Sequence, residues 1–140
     1  TEDIKNEIDR MVREEKLSLK QAECIKLKDI DTFAGSSIGE RIKRAYAYGG
    51  GKREKPFVFE YDRQLVQGVI DLYFIEDGQL VIVDYKTDRV LRGRAGEDEL
   101  RRRYSIQIDY YAMALSQITG LKVKEKVIYS FALGRSLTVE

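Results

Sequence analysis

Near the start of the chain, Ile4, Ile8, Met11 and Val12 recur at the three- and four-residue spacing of one helix face. Ser18 followed by Gln21 has the form of a capping box and predicts a short second helix through Ala22 and Ile25. "SSIGERIKRAYAY" predicts another, with Ile38, Ile42 and Ala45 on one side. Gly49, Gly50 and Gly51 then break the helical pattern, and Pro56 opens a part of the chain with a different period.

In that part the spacing becomes that of strands. "PFVFEY", "LVQGVIDLYFI" and "QLVIVDY" are rich in β-branched and aromatic residues, with turns expected at Asp62-Arg63 and, more strongly, at Asp77-Gly78. Beyond Gly93 and Gly96 a long helix is expected from about Glu97 to Thr119. Its inner stripe would be Leu100, Tyr104, Ile108, Tyr111, Ala112, Leu115 and Ile118, with Gly120 as its end. Val127, Tyr129, Phe131 and Leu133 alternate as a further strand, and "LTVE" starts one more. Helices, a three-strand meander, a helix and a strand predict an α+β sandwich around a mixed sheet.

Composition narrows the class. The 140 residues suit one domain, with N-terminal helices over about 1–48 and a core over about 52–140. With 43% hydrophobic and 35% charged residues, the composition is that of a globular protein with a highly charged surface. No apolar run reaches a membrane span, so no membrane partner is expected. A single cysteine, Cys24, excludes an internal disulfide and points to a reducing, cytoplasmic setting. The net charge of +1 does not favour a polyanionic partner, but "RVLRGRAGEDELRRR" is locally basic. Such a run is a phosphate-binding border or simply a solvated face. "GGGKRE" lacks the spacing of a phosphate loop and leads into a strand, so no ATP site is expected in this chain.

The candidate chemistry comes from the hairpin. A two-residue turn at Asp77-Gly78 sets Asp71 across from Asp84, with facing Cα atoms about 4.5 Å apart in a non-hydrogen-bonded pair. Lys86 falls two residues past Asp84, on the same face. The opposite face carries Ile70, Leu72, Phe74, Val81 and Val83, so the ribbon belongs to the core. Two partly buried carboxylates repel and resist desolvation. Relief comes from a proton or from a cation. Hard oxygen donors in a chain with no histidine and one cysteine favour Mg²⁺ or Mn²⁺ over zinc. The plainer alternative is a strand-end salt bridge between Asp71 and Lys86.

These residues carry a resemblance. "GVID", then "DYKTD" after a hairpin, then "YSIQIDYYAMAL" with Gln107 and Tyr111 in a Gln-x-x-x-Tyr spacing, resemble the RecB-like branch of the PD-(D/E)xK nuclease superfamily. "REKPFVF" resembles that branch's upstream strand, and "FAGSSIGERI" is similar to the preceding segment in the AddA-type helicase–nucleases. The resemblance implies a restriction-endonuclease-like mixed sheet flanked by helices. It implies Mg²⁺-dependent cleavage of DNA within a bacterial helicase–nuclease of double-strand-break repair, this chain being a C-terminal domain of it. It further implies an AddB-type partner protein, and ATP used only in a motor outside this chain.

Asp71 and Asp84 would be metal ligands, joined by the backbone carbonyl of Tyr85. Lys86 would be catalytic, with Glu54 in support. Gln107, Tyr111 and Tyr104 would border bound DNA, with Arg92, Arg94 and Arg101 on its phosphates. Core packing is the competing role for Tyr104 and Tyr111. The branch also implies a histidine ligand on an earlier helix, expected before Thr1, because this chain holds none. A module that keeps this fold for DNA binding or scaffolding without cleavage is the alternative, although both acids and the lysine are present.

Overall fold

The computed structural model describes residues 27–140, so the two helices expected before Leu27 lie outside the described residues. The chain runs α1 (Leu27–Ala34), α2 (Ser37–Ala47), β1 (Gly51–Tyr61), β2 (Gln64–Glu76), β3 (Gln79–Lys86), α3 (Arg94–Thr119), β4 (Val123–Ser130) and β5 (Arg135–Val139). The strands form one five-stranded sheet in the order β1-β2-β3-β4-β5. Only β3 and β4 are parallel, since α3 carries the chain back along the sheet between them.

Local chemistry sets most boundaries. Ser36 caps α2 by accepting from the Gly39 N–H at 3.1 Å. Gly120, left-handed at φ 74°, closes α3 and donates to Ser116. Asp62 and Arg63 (φ 50° and 65°), like Asp77 and Gly78 (φ 55° and 74°), turn in the left-handed region that a two-residue hairpin demands. Pro56 lies inside β1 rather than at its start, which an edge strand tolerates because one row of its N–H groups needs no partner.

The sheet is covered on both faces. Ile30, Phe33, Ile38 and Ile42 of α1 and α2 pack on Leu72, Phe74, Val81, Val83 and Tyr129. Leu100, Ile108, Tyr111, Ala114 and Leu115 of α3 pack on Ile70, Tyr73, Leu80, Ile82 and Ile128. Each fully buried apolar side chain stabilises the sandwich by about 1.5–3 kcal/mol, which holds the strand register against slippage.

Several expectations need correction. Ile70 belongs to the α3 side, not to the face of Leu72 and Phe74. The β1–β2 pairing runs Arg53–Leu72, then Lys55–Ile70, and the rung between them, Glu54 with Asp71, is missing. Glu54 there adopts φ 48°, and the face alternation slips at that point. Ile118 is half exposed, while Ala114, absent from the predicted stripe, is fully buried. α3 starts at Arg94, three residues earlier than expected. β4 ends at Ser130, so Phe131 and Leu133 lie in the turn to β5.

Candidate active site

The β2–β3 ladder has the expected register, with Leu72 across from Val83 as its last rung. Asp71 and Asp84 occupy the next position. Alternate N–H groups of β3 point to β4, as Leu80 does toward Lys122, so the N–H of Tyr85 points to β2. A regular ladder would give it to a β2 carbonyl. Instead Asp71 Oδ2 accepts it at 2.9 Å. The ladder therefore ends in a side chain, and that bond holds the Asp71 carboxylate beside Asp84.

Asp84 is 3% exposed, and its Oδ2 accepts no hydrogen bond; the Lys86 ammonium is an ion-pair contact at 3.1 Å. Burial pushes Asp71 well above the usual carboxylate range, and the neighbouring Asp84 pushes it further, against the Tyr85 N–H and Lys86. Without a cation, these effects favour the protonated form of Asp71. One ammonium does not balance two carboxylates, and a divalent ion held by the two acids would fit that deficit. Among the described residues no third His, Cys, Asp or Glu joins them as a metal cluster. Glu54 sits at the missing rung beside Asp71 but does not complete such a group.

Lys86 is held on three sides. Its Nζ donates to Gln107 Oε1 at 3.1 Å, contacts Asp84, and lies 4.0 Å from the centre of the Tyr104 ring. Tyr104 OH donates to Asp88 Oδ2 at 2.6 Å, and burial together with that bond pushes the phenol up to about 12. Tyr111 is buried edge-on against Phe57 (ring centres 5.4 Å apart). Its phenol is raised first by burial and then by the charges of Asp84 and Asp71. Tyr111 therefore serves the core on the α3 side of the sheet.

The expected arginines divide. Arg92 and Arg94 are exposed, Arg94 with Asp98 3.9 Å away. Arg101 instead donates to the Thr138 carbonyl at 3.0 Å and faces Asp98, which ties it to β5. Arg103, the last residue of the basic run, is instead bonded to Asp88 at 2.9 Å, and Asp88 had no role predicted from sequence. The only signal was the last letter of "DYKTD". Asp88 lies beyond the end of β3, where no strand period applies.

A carboxylate pair at the end of a central hairpin, with a lysine two residues on and a crossover helix closing the site, is the arrangement of a nuclease fold. The sequence profile of the PD-(D/E)XK nuclease superfamily matches residues 2–137, and the chain belongs to that superfamily. The chain is 40% identical to the AddA protein, an ATP-dependent helicase/nuclease component, of Thermoanaerobacter sp. (strain X514), over 97% of this chain and 12% of that one. The corresponding protein of Acetivibrio thermocellus is 40% identical over the same shares. That of Clostridium novyi is 34% identical over 93% of this chain and 11% of its own. The chain thus spans about an eighth of these relatives' length. A crystal structure of a candidate exonuclease from Eubacterium rectale has a TM-score of 0.51 at 23% identity, over 86% of this chain and 45% of that one. At that identity the likeness concerns the fold.

Proposed function

We propose that this chain is the C-terminal nuclease domain of a bacterial AddA-type helicase–nuclease, hydrolysing DNA phosphodiesters with Mg²⁺ or Mn²⁺. The observation that carries this reading is the meeting of Asp71, Asp84 and Lys86 at one strand end, where their charges serve no core. In the longer protein the domain would process double-strand breaks in the cytoplasm, beside an AddB-type partner, with ATP consumed by the motor. Among the described residues no helix is long and apolar enough to cross a membrane.

Asp71, Asp84 and the Tyr85 carbonyl would hold the ion, and the histidine implied by the family would come from the longer protein. When bound, the ion acidifies water and polarises the phosphate. Lys86 orients the attacking water and offsets the charge that develops on the phosphoryl oxygens. Gln107 positions Lys86 through its carbonyl, leaving its amide N–H groups toward the substrate.

The test uses the complete helicase–nuclease. Asp84→Ala and Lys86→Ala each lower DNA cleavage by about 10²–10³-fold or more, with ATP-driven unwinding unchanged. Only Asp84→Ala lowers Mn²⁺ affinity by calorimetry, because an ammonium is no ligand. Undiminished cleavage in both would refute the reading and favour a binding module that has lost catalysis.

A further inference from the structure

We propose that Asp88 and Tyr104 are positioning residues for Lys86, with Asp88 acting through the Tyr104 hydroxyl to hold the ring against the ammonium. The inference rests on the reading above for what Lys86 does, and concerns how it stays in place.

Lys86 is the last residue of β3, and Asp88 follows it where the ladder has stopped. A lysine there keeps four rotatable bonds unless something fixes its tip. Asp84 contributes in the ion-free site, at 3.1 Å. With a divalent ion held by Asp84, that hold would weaken, because the carboxylate would be shared with a second cation. Two other contacts remain, Gln107 Oε1 at 3.1 Å and the Tyr104 ring at 4.0 Å. The ring distance is well inside the roughly 6 Å reach of a cation–π contact. The Lys86 side chain is only 17% exposed, so water weakens that contact little.

The ring packs against the buried cluster on the α3 side, and its far end is anchored as well. Asp88 Oδ2 accepts from Tyr104 OH at 2.6 Å and from Arg103 Nη1 at 2.9 Å. Neighbouring residues of α3 thus converge on one oxygen. The bonds pin the segment after β3 to the helix that supplies both the ring and Gln107. Arg103 also bonds Glu99 at 3.0 Å, which steadies the anchor from the next turn.

Two measurements test this. In the 140-residue chain, carbon-13-labelled lysine reports the ε-methylene of Lys86, whose protons shift upfield when held over a ring. The shift is expected with and without Mg²⁺, lost in Tyr104→Leu, reduced in Tyr104→Phe and Asp88→Ala, and retained in Asp88→Asn, which keeps an acceptor. In the complete helicase–nuclease, Asp88→Ala and Tyr104→Phe each lower kcat for cleavage by about 10- to 100-fold, with KM for DNA within about twofold. The double variant is no slower than the slower single, because both remove one bond. An unshifted Lys86 methylene in the unaltered chain, additive losses in the double variant, or lost cleavage with an unchanged shift would each overturn the proposal. Failure of Lys86→Ala to slow cleavage would instead refute the nuclease reading, leaving the methylene shift as it is.

Discussion

Asp71 takes the backbone N–H of Tyr85 at 2.9 Å while its carboxyl stands against the buried Asp84. The first relation orients the side chain, and the second makes its charge unwelcome. Burial and Asp84 hold the folded-state pKa of Asp71 above its unfolded value. The folded chain therefore keeps a proton that the unfolded chain has released. Without metal, stability is greatest below the ordinary carboxylate range and falls as pH rises toward the raised value. Asp71→Asn keeps an acceptor for Tyr85 and removes the charge. In EDTA at pH 7 it should stabilise the chain by about 1–2 kcal/mol and flatten the pH profile. Urea unfolding between pH 4 and pH 8 measures both. A variant less stable than the parent at pH 7 would contradict this account of the pair.

Arg92 and Arg94 are free to meet phosphates in a way that Arg101 is not. Replacing both with alanine should weaken DNA binding and reduce the slope of log K against log salt by roughly 1–2. Arg101→Ala, whose guanidinium is bonded to Thr138, should leave the slope nearly unchanged. Binding titrations across a salt series separate the two. Equal slopes in all three proteins would make the basic run a solvated face.

At the other end of the hairpin, Arg41 ties α2 to two strands. Its Nη2 lies 2.8 Å from Glu76 and 2.6 Å from Glu125. Arg41→Ala should cost about 1–2 kcal/mol, less than a fully buried pair because the groups keep some exposure. Hydrogen bonds from Arg41 and then Lys124 hold the Glu76 carboxyl down at about 2. Its contribution is complete above the ordinary carboxylate range and lost as pH falls through that value. The cost of Arg41→Ala should therefore shrink between pH 7 and pH 3 in urea unfolding. DNA cleavage per folded molecule should not change, because the clamp sits at the turn end and the acids at the other.

Gly96 sits in the first turn of α3, where a Cβ would collide with the Leu91 carbonyl oxygen. Helix propensity alone favours alanine by about 1 kcal/mol. Packing predicts the opposite sign, a loss of about 2–3 kcal/mol for Gly96→Ala as the segment before the helix is pushed away. The denaturation midpoint decides between them.

The hairpin was legible because its determinants are local. Asp77-Gly78 sets the turn, the period of two sets the faces, and Asp71, Asp84 and Lys86 follow from counting along the ladder. The same holds for α2, where Ser36 and the Ile38-Ile42-Ala45 stripe lie within one short segment. Alternation misplaced Ile70 because the slip at Glu54 and Asp71 belongs to two strands at once. Ile118 and Ala114 exchanged burial because a helix stripe is wider than the surface it meets.

The chemistry of the chain was set by residue types in order: two acids, a lysine, then glutamine and tyrosine a helical turn apart. Those residues specify a charge deficit at a strand end and the kind of ion that could fill it. Packing decided the rest. It chose which arginine is tied down, brought Arg41 to Glu125 across 84 positions of sequence, and laid the Tyr104 ring over Lys86 with Asp88 behind it. Periodicity reports which way a side chain leans from its own backbone. It carries no information about which distant surface arrives there, because that depends on the sandwich closing as a whole.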